Sequence, residues 1–432
     1  MPWMLGPLAA LIWSGPYRVA MEYAPVWDLR ASVMLDHFVP LVAFGTGVAA
    51  WMGSREHRRR TTELVLATAR PGWARRLATL AATACWVLVA YLGLVAALYA
   101  VTATQASWGS PPWWPVAVGG AGLAAACAAG FAAGVFFPSR FTAPLAALGA
   151  FLLSLQGVSH AANPYAQLSG ATGVPASDIG VFYRYPPDLA IVQVIFLAGL
   201  AVAAAGALGL PAASGRWLRR SAVAVTAAGL AAAGTAAGLA GTAVPEAYGM
   251  VIPALHGGAG ERPIPYTPVC ANGPVPVCVH PAFRAYLAGV AAALDPLLAQ
   301  VDGLPGAPTR AEQAASSDLN ELNWGTDVSG TPPVFRFALP ATSPSFISGL
   351  QSTFVITFIA GSDANDNGGT PAQQAVESAL LTAAGGQPPQ AGPAITAAAG
   401  RFAALRAAAR HAWLGARLVA LRAGHITLEE LP

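Results

Sequence analysis

The C-terminal part of the sequence holds three sets of side chains whose types and spacing could do chemistry. Cys270 and Cys278 flank the segment ANGPVPV, in which Asn272-Gly273 is a turn signal. In an oxidising compartment such a pair closes a disulfide. The alternatives are two free thiols, or a metal site to which His280 alone would add a third ligand. The bridge is the expected state, and closing so short a loop stabilises by roughly 2–3 kcal/mol in the chain-entropy account. The second set is the loop GSDANDNGG. Asp363, Asn365, Asn367 and Gly368 match the opening of a calcium loop. The twelfth place, which needs a bidentate acid, is Gln374, and Glu377 comes too late. A polar turn is therefore expected there, with a weak calcium site as the alternative. The third set is His256, His280, His411 and His425. They are scattered, and no H-E-x-x-H pair places two of them one helical turn apart beside a glutamate. They are expected to be surface or packing histidines, so no zinc hydrolase and no resident cofactor is anticipated.

What is missing constrains the chemistry further. All 23 basic residues are arginine, so the chain has no lysine. A P-loop needs a lysine to reach the β- and γ-phosphates. Any ATP-driven role therefore requires an ATPase on another chain, and lysine Schiff-base chemistry is excluded. No catalytic constellation is legible, and the chain is not expected to be an enzyme.

The elements that would position these groups are set by hydropathy. Of 432 residues, 55% are hydrophobic and only 10% charged, against about 25% charged in ordinary soluble domains. A net charge of +3 gives no global basic field for nucleic acid. A helix needs ~20 mostly apolar residues to cross the hydrocarbon core. Candidate spans are 2–17, 37–53, 77–101, 113–137, 141–158, 187–210 and 221–243, of which 2–17 and 141–158 are short. The start MPWMLGPLAALIWSGPY lacks a basic first region and a small-residue cleavage site, so it is expected to be a short span rather than a cleaved signal.

Alternate loops carry the arginines: Arg55, Arg58, Arg59, Arg60, Arg70, Arg75 and Arg76 after the second candidate span, then Arg140, then Arg216, Arg219 and Arg220. The stretches 18–36, 102–112 and 159–186 carry no basic excess. The positive-inside rule puts the arginine loops in the cytoplasm, and seven spans then leave the C-terminus outside. Trp108, Trp113, Trp114, Tyr183 and Tyr185 flank spans as an interfacial belt would. No Asp, Glu or Arg lies mid-span, which argues against a proton-coupled pump. Gln156 and Gln193 are the bulky polar candidates, expected to bond between helices. GFAAG at 130–134 and GTAAG at 234–238 fit small-xxx-small, either as close helix packing or as the background of a glycine-rich sequence.

The segment Ser54–Arg70, with Glu63, Leu64, Leu66, Ala67 and Thr68 among its arginines, is compatible with an amphipathic helix that ends before Pro71. The order of a span, GSREHRRRTTELVLATARPGWARRLATLAATACWVLVAY, and then GVFFPSRFTAPLAAL resembles the membrane subunit of actinobacterial type-2 ABC exporters over about 37–220. The resemblance implies a cytoplasmic loop that docks on a separate ATPase subunit. Carried onto this chain, it assigns Arg55, Arg58, Arg59, Arg60, Glu63, Thr68 and Arg70 to docking. It also implies a homodimer or a paired permease in a plasma membrane. The short N-terminus and the large C-terminal part depart from the general class.

Composition changes at Pro245, giving an expected division into a transmembrane part, 1–243, and an α+β part, 244–432. Expected strands are 333–340 and 352–361, and expected helices are 281–301, 371–384 and 393–423. In the last of these Arg406, Arg410 and Arg417 share a face, expected to be solvated or to meet lipid headgroups. The segments CANGPVPVCVHPAFRAYL and WLGARLVALRAGHITLEELP resemble the extracytoplasmic domain fused to some actinobacterial ABC-type permeases, which implies location and no chemistry. The functional expectation is a transporter membrane subunit. The alternative is a membrane-anchored extracytoplasmic binding or sensor protein without transport activity.

Overall fold

The computed structural model describes residues 24–36, 39–58, 71–159, 163–169, 179–184, 186–211, 215–246, 249–256, 262–315, 326–339, 345–360 and 369–432. The candidate span 2–17 and the loop 361–368 lie outside them, as does 59–70. Among the described residues, seven helices of ten or more residues run through the first part: α1 (Trp27–Asp36), α2 (Val39–Gly53), α3 (Gly72–Gln105), α4 (Trp113–Phe136), α5 (Thr142–Ser159), α6 (Asp188–Ala207) and α7 (Arg216–Ala240). Helices α2 to α7 fall on the expected spans 37–53 to 221–243, while α1 lies where only a loop was expected. Among them α3, α4, α6 and α7 are long and apolar enough to cross a membrane. A fifth such stretch, Pro281–Val301, packs differently, as described below. Large apolar side chains on α3, α5 and α7, such as Trp86, Leu92, Leu153 and Leu230, are exposed, as expected where lipid replaces water.

Glycine decides how closely the helices approach. A Cβ on Gly130 would overlap the Thr46 carbonyl, and one on Gly134 the Ala50 carbonyl. GFAAG is therefore the contact of α4 with α2. The glycines of the second stripe are not a close helix contact: a Cβ on Gly234 or Gly238 would meet nothing within 4 Å among the described residues. The α6–α7 crossing uses Gly199 and Gly229 instead, where a Cβ on Gly199 would lie 2.8 Å from the Gly229 carbonyl oxygen. Gln193 bonds between segments as expected, its Nε2 donating to the Gln167 carbonyl at 2.7 Å.

Among the described residues, the largest sheet of the C-terminal part has five strands: β1 (Val269–Ala271), β2 (Val277–Val279), β3 (Arg310–Gln313), β4 (Thr326–Ser329) and β5 (Val334–Phe337). Their order is β1-β2-β3-β5-β4; β3 runs parallel to β2 and β5, and the edge pairs are antiparallel. Helix α8 (Leu287–Val301) makes the β2-to-β3 crossover. The stretch Pro281–Val301 begins as a 3-10 turn, and Val290, Leu294, Leu297, Leu298 and Val301 join the sheet in one buried core. Its hydropathy is that of a core helix.

Two expectations are corrected here. Residues 352–360 of the expected strand 352–361 are not a strand but part of helix α9 (Ser345–Ala360). Its β-branched and aromatic residues favour a strand locally. Leu350, Phe354, Val355, Phe358 and Ile359, at i, i+4, i+5, i+8 and i+9, are all buried, a pattern that gathers on one helix face and that strand alternation would split between two faces. Phe354 packs edge-on against Phe335 of β5 at 4.8 Å. Helix α10 (Pro371–Ala383) matches its expected range. The segment 393–423 is not one helix but two, α11 (Pro393–Ala404) and α12 (Ala407–Arg422), separated by Leu405 and Arg406 in extended backbone. No glycine or proline marks the break. Arg410 fills it, with Nη1 donating to the carbonyls of Ala403 (2.8 Å) and Leu405 (2.9 Å).

Candidate functional site

Helix C-termini leave carbonyls without partners, and cations are favoured beside them. The arginine-rich end of the bundle is built on this. Arg58 turns back on α2: Nη2 donates to the Trp51 carbonyl at 2.7 Å, Nε donates to Ser54 Oγ at 3.2 Å, and the guanidinium lies 3.4 Å over the Trp51 ring. From the first turn of α3, Trp73 Nε1 donates to the Ala205 carbonyl (2.9 Å) and Arg76 to the Leu208 carbonyl (3.2 Å), closing the end of α6. Arg75 pairs with Glu56 at 3.3 Å. Both partners are part-exposed, so the pair orients more than it stabilises. Three helix ends are thus held together.

Of the expected docking residues, Arg55 is exposed beside a groove and Arg58 is a helix cap. Arg59, Arg60, Glu63, Thr68 and Arg70 lie outside the described residues. Trp73, Arg75, Arg76 and Glu56 complete this end without having been singled out as a unit. A basic residue just past a helix terminus was the available signal. The groove, of about 650 Å³, lies between the end of α2 and the start of α3 and runs from Arg55 and Arg75 to Trp86.

The other expected sites resolve separately. Cys270 and Cys278 are directly opposed on β1 and β2 and form the disulfide. The Arg310 guanidinium lies against it, 3.3 Å from Cys278 Sγ. Cys85 and Cys127 are free. The calcium-like residues Asp363, Asn365 and Asn367 fall outside the described residues, among which no His/Cys/Asp/Glu group could hold a metal. On α12, Arg417 is exposed. Arg410 closes the helix break, and Arg422 donates to the Phe358 carbonyl at 2.9 Å, so these two are structural.

His280 is the residue whose surroundings the sequence hides. It is fully buried at the opposite end of α3. Nδ1 accepts from the Ala282 amide at 3.1 Å, starting the 3-10 turn that leads into α8. Its ring meets Trp108 (5.1 Å), Phe182 (5.1 Å) and Tyr266 (4.2 Å). Trp108 lies between α3 and α4 and Phe182 precedes α6, so this cluster fastens the sheet-containing part to the bundle. Ser107 adds a hydrogen bond to the Pro281 carbonyl (2.7 Å), and Asp188 accepts from the Ile252 amide (3.0 Å). Val26, Leu29 and Val181 share the buried core of the sheet. Burial pushes the His280 imidazole down to about 4 and keeps it neutral. Trp108, expected in a membrane-interface belt, packs edge-on against His280 in this joint. No family model, curated protein or solved structure matches the chain.

Proposed function

We propose that the chain is the membrane subunit of an ABC-type transporter, coupling a separate cytoplasmic ATPase to movement of a substrate across a plasma membrane. In this proposal α2 to α7 are six spans, the arginine-rich end faces the cytoplasm, and the disulfide-bearing domain lies outside. The supporting observation is the construction of that end. The first turn of α3 grips the ends of α2 and α6, so a push on the segment between Arg58 and Pro71 is delivered to three helices at once. The second reading, a membrane-anchored sensor, draws on the joint at His280, which would pass a change in the sheet-containing domain to the bundle.

The test is purification of the tagged full chain in mild detergent, comparing wild type with Arg59→Ala plus Glu63→Ala. A stoichiometric P-loop ATPase that is lost in the variant supports the transporter reading and places its interface. A folded chain that brings no ATPase sinks that reading and favours the sensor.

A further inference from the structure

The groove beside α3 has the chemistry of an amphiphile site. Its head is cationic: Arg55 is exposed and has no hydrogen-bond or ion-pair partner among the described residues, and Arg75, shared with Glu56, stands opposite. Its body is apolar, walled by Met52, Ala78, Ala82 and Trp86. The two hydroxyls in the wall are spent on the helix: Thr79 Oγ1 donates to the Arg75 carbonyl (3.0 Å) and Thr83 Oγ1 to the Thr79 carbonyl (2.8 Å). The groove therefore offers strong hydrogen-bond donors at one end only.

Its dimensions select the ligand. From Ala74 to Trp86 along a helix is about 18 Å at ~1.5 Å per residue. One leaflet of a ~30 Å hydrocarbon core is about 15 Å deep. The volume, about 650 Å³, is within the usual ~300–1,000 Å³ of small-molecule sites. Beyond Trp86 the same helix continues with exposed Val89 and Leu92, so the apolar end opens toward lipid rather than water. A soluble anion would use the head and leave the body wet. A neutral lipid would fill the body and leave Arg55 without a counter-charge.

We propose that this groove is a binding site for one anionic phospholipid of the leaflet on the arginine side, its phosphate on Arg55 and Arg75 and an acyl chain along Ala78, Ala82 and Trp86. The site rests on the bilayer reading of α3 but not on an ATPase partner. It assigns Arg55 to lipid rather than to docking.

The test is a lipid titration of the detergent-purified full chain by native mass spectrometry, with phosphatidylglycerol and phosphatidylcholine of the same acyl chains. Phosphatidylglycerol is expected to bind the wild type about fivefold more tightly, the scale of one arginine at an anionic surface. Arg55→Gln should remove that preference, Arg55→Lys should restore it, and Ala78→Phe should weaken both lipids by filling the body. All three changes are on exposed positions, and an unchanged thermal transition shows that each variant is folded. A photoactivatable acyl chain should cross-link within 74–86. Equal binding of the two lipids, an unaltered preference in Arg55→Gln, or competition by inorganic phosphate alone would each overturn the site. Cross-links only to a second copy or to 59–70 would also overturn it, because something else then fills the groove. Scoring ATPase retention in the same variants separates the two proposals: loss of the lipid preference with the ATPase kept supports the lipid site, whereas the reverse assigns Arg55 to docking.

Discussion

Glu377 is a carboxylate where the core of the sheet-containing domain offers little to hold a charge. It is 4% exposed on the inner face of α10, and Ser352 Oγ donates to it across 3.4 Å. Burial pushes its carboxyl up to about 7 from the usual 4.5, and the Ser352 bond only partly offsets this. A raised folded-state value means that the fold holds the proton more tightly than the unfolded chain does. The contribution is fully present below pH 4.5 and is lost as pH rises toward 7. A gap of that size corresponds to roughly 3 kcal/mol above pH 7. Glu377→Gln keeps the volume and the acceptor for Ser352 and removes the titration. For a domain of this size the thermal transition should rise by about 6–12 °C at pH 8 and stay unchanged at pH 4.5. Near-UV circular dichroism of the full chain in detergent at the two pH values reads this. An equal gain at both pH values, or none at pH 8, would refute the argument that an ionised buried carboxylate is the cause.

Three further outcomes are expected. Gly134→Ala should cost about 1–3 kcal/mol by forcing α4 off α2, whereas Gly238→Ala, with open space around it, should be neutral in the same detergent melting assay. Cys270→Ser with Cys278→Ser should lower the stability of the sheet-containing domain by roughly 2–3 kcal/mol, and added reductant should bring the wild type to the same level and leave the variant unmoved. Because the His280 imidazole is held down near 4 against an ordinary 6.5, the joint's stability is intact above 6.5 and drains as pH falls from there toward 4; His280→Asn keeps a capping acceptor and should flatten that dependence when cleavage at the joint is followed by limited proteolysis.

Much of this was legible in the sequence, for physical reasons that also explain the rest. Apolar helices are readable because bilayer thickness demands a length of apolar residues, and α2 to α7 fall on the expected stretches. The disulfide was legible because two cysteines flank a turn. The failures share a cause: local preference was overruled by packing at long range. The segment STFVITFIAG favours a strand locally, and only burial of the adjacent pairs Phe354–Val355 and Phe358–Ile359 together with Leu350, against Phe335, makes it a helix. The break at Leu405 has no local signal, since Arg410 supplies from the following helix what a capping residue would supply at the break. The glycine stripes look alike in sequence, and only the position of the neighbouring helix separates the glycines of GFAAG, which touch α2, from those of GTAAG, which face open space among the described residues. The candidate site was legible as a concentration of arginines and not as a geometry. Which arginine caps a helix and which is free depends on where α2 and α6 end.

Helix α3 ties the two ends of the molecule into one mechanical argument. Its 34 residues span about 51 Å, well beyond the ~30 Å of a hydrocarbon core. The first turn carries Trp73, Arg75 and Arg76, which hold α6 and the Glu56 turn after α2. The last turn carries Thr102 and Gln105, which accept from the buried Arg30 at 3.2 and 2.7 Å. Ser107 and Trp108 follow at once and hold Pro281 and His280. No proline interrupts it between Gly72 and Gln105, and proline is a leading cause of a sharp kink. Such a rod cannot absorb a displacement of the arginine end along its length. It must carry that displacement to the aromatic joint, or tilt and carry the ends of α2 and α6 with it. Either way the sheet-containing domain and the arginine-rich end are not mechanically independent. A transporter subunit and a sensor both require that property; they differ in which end receives the push.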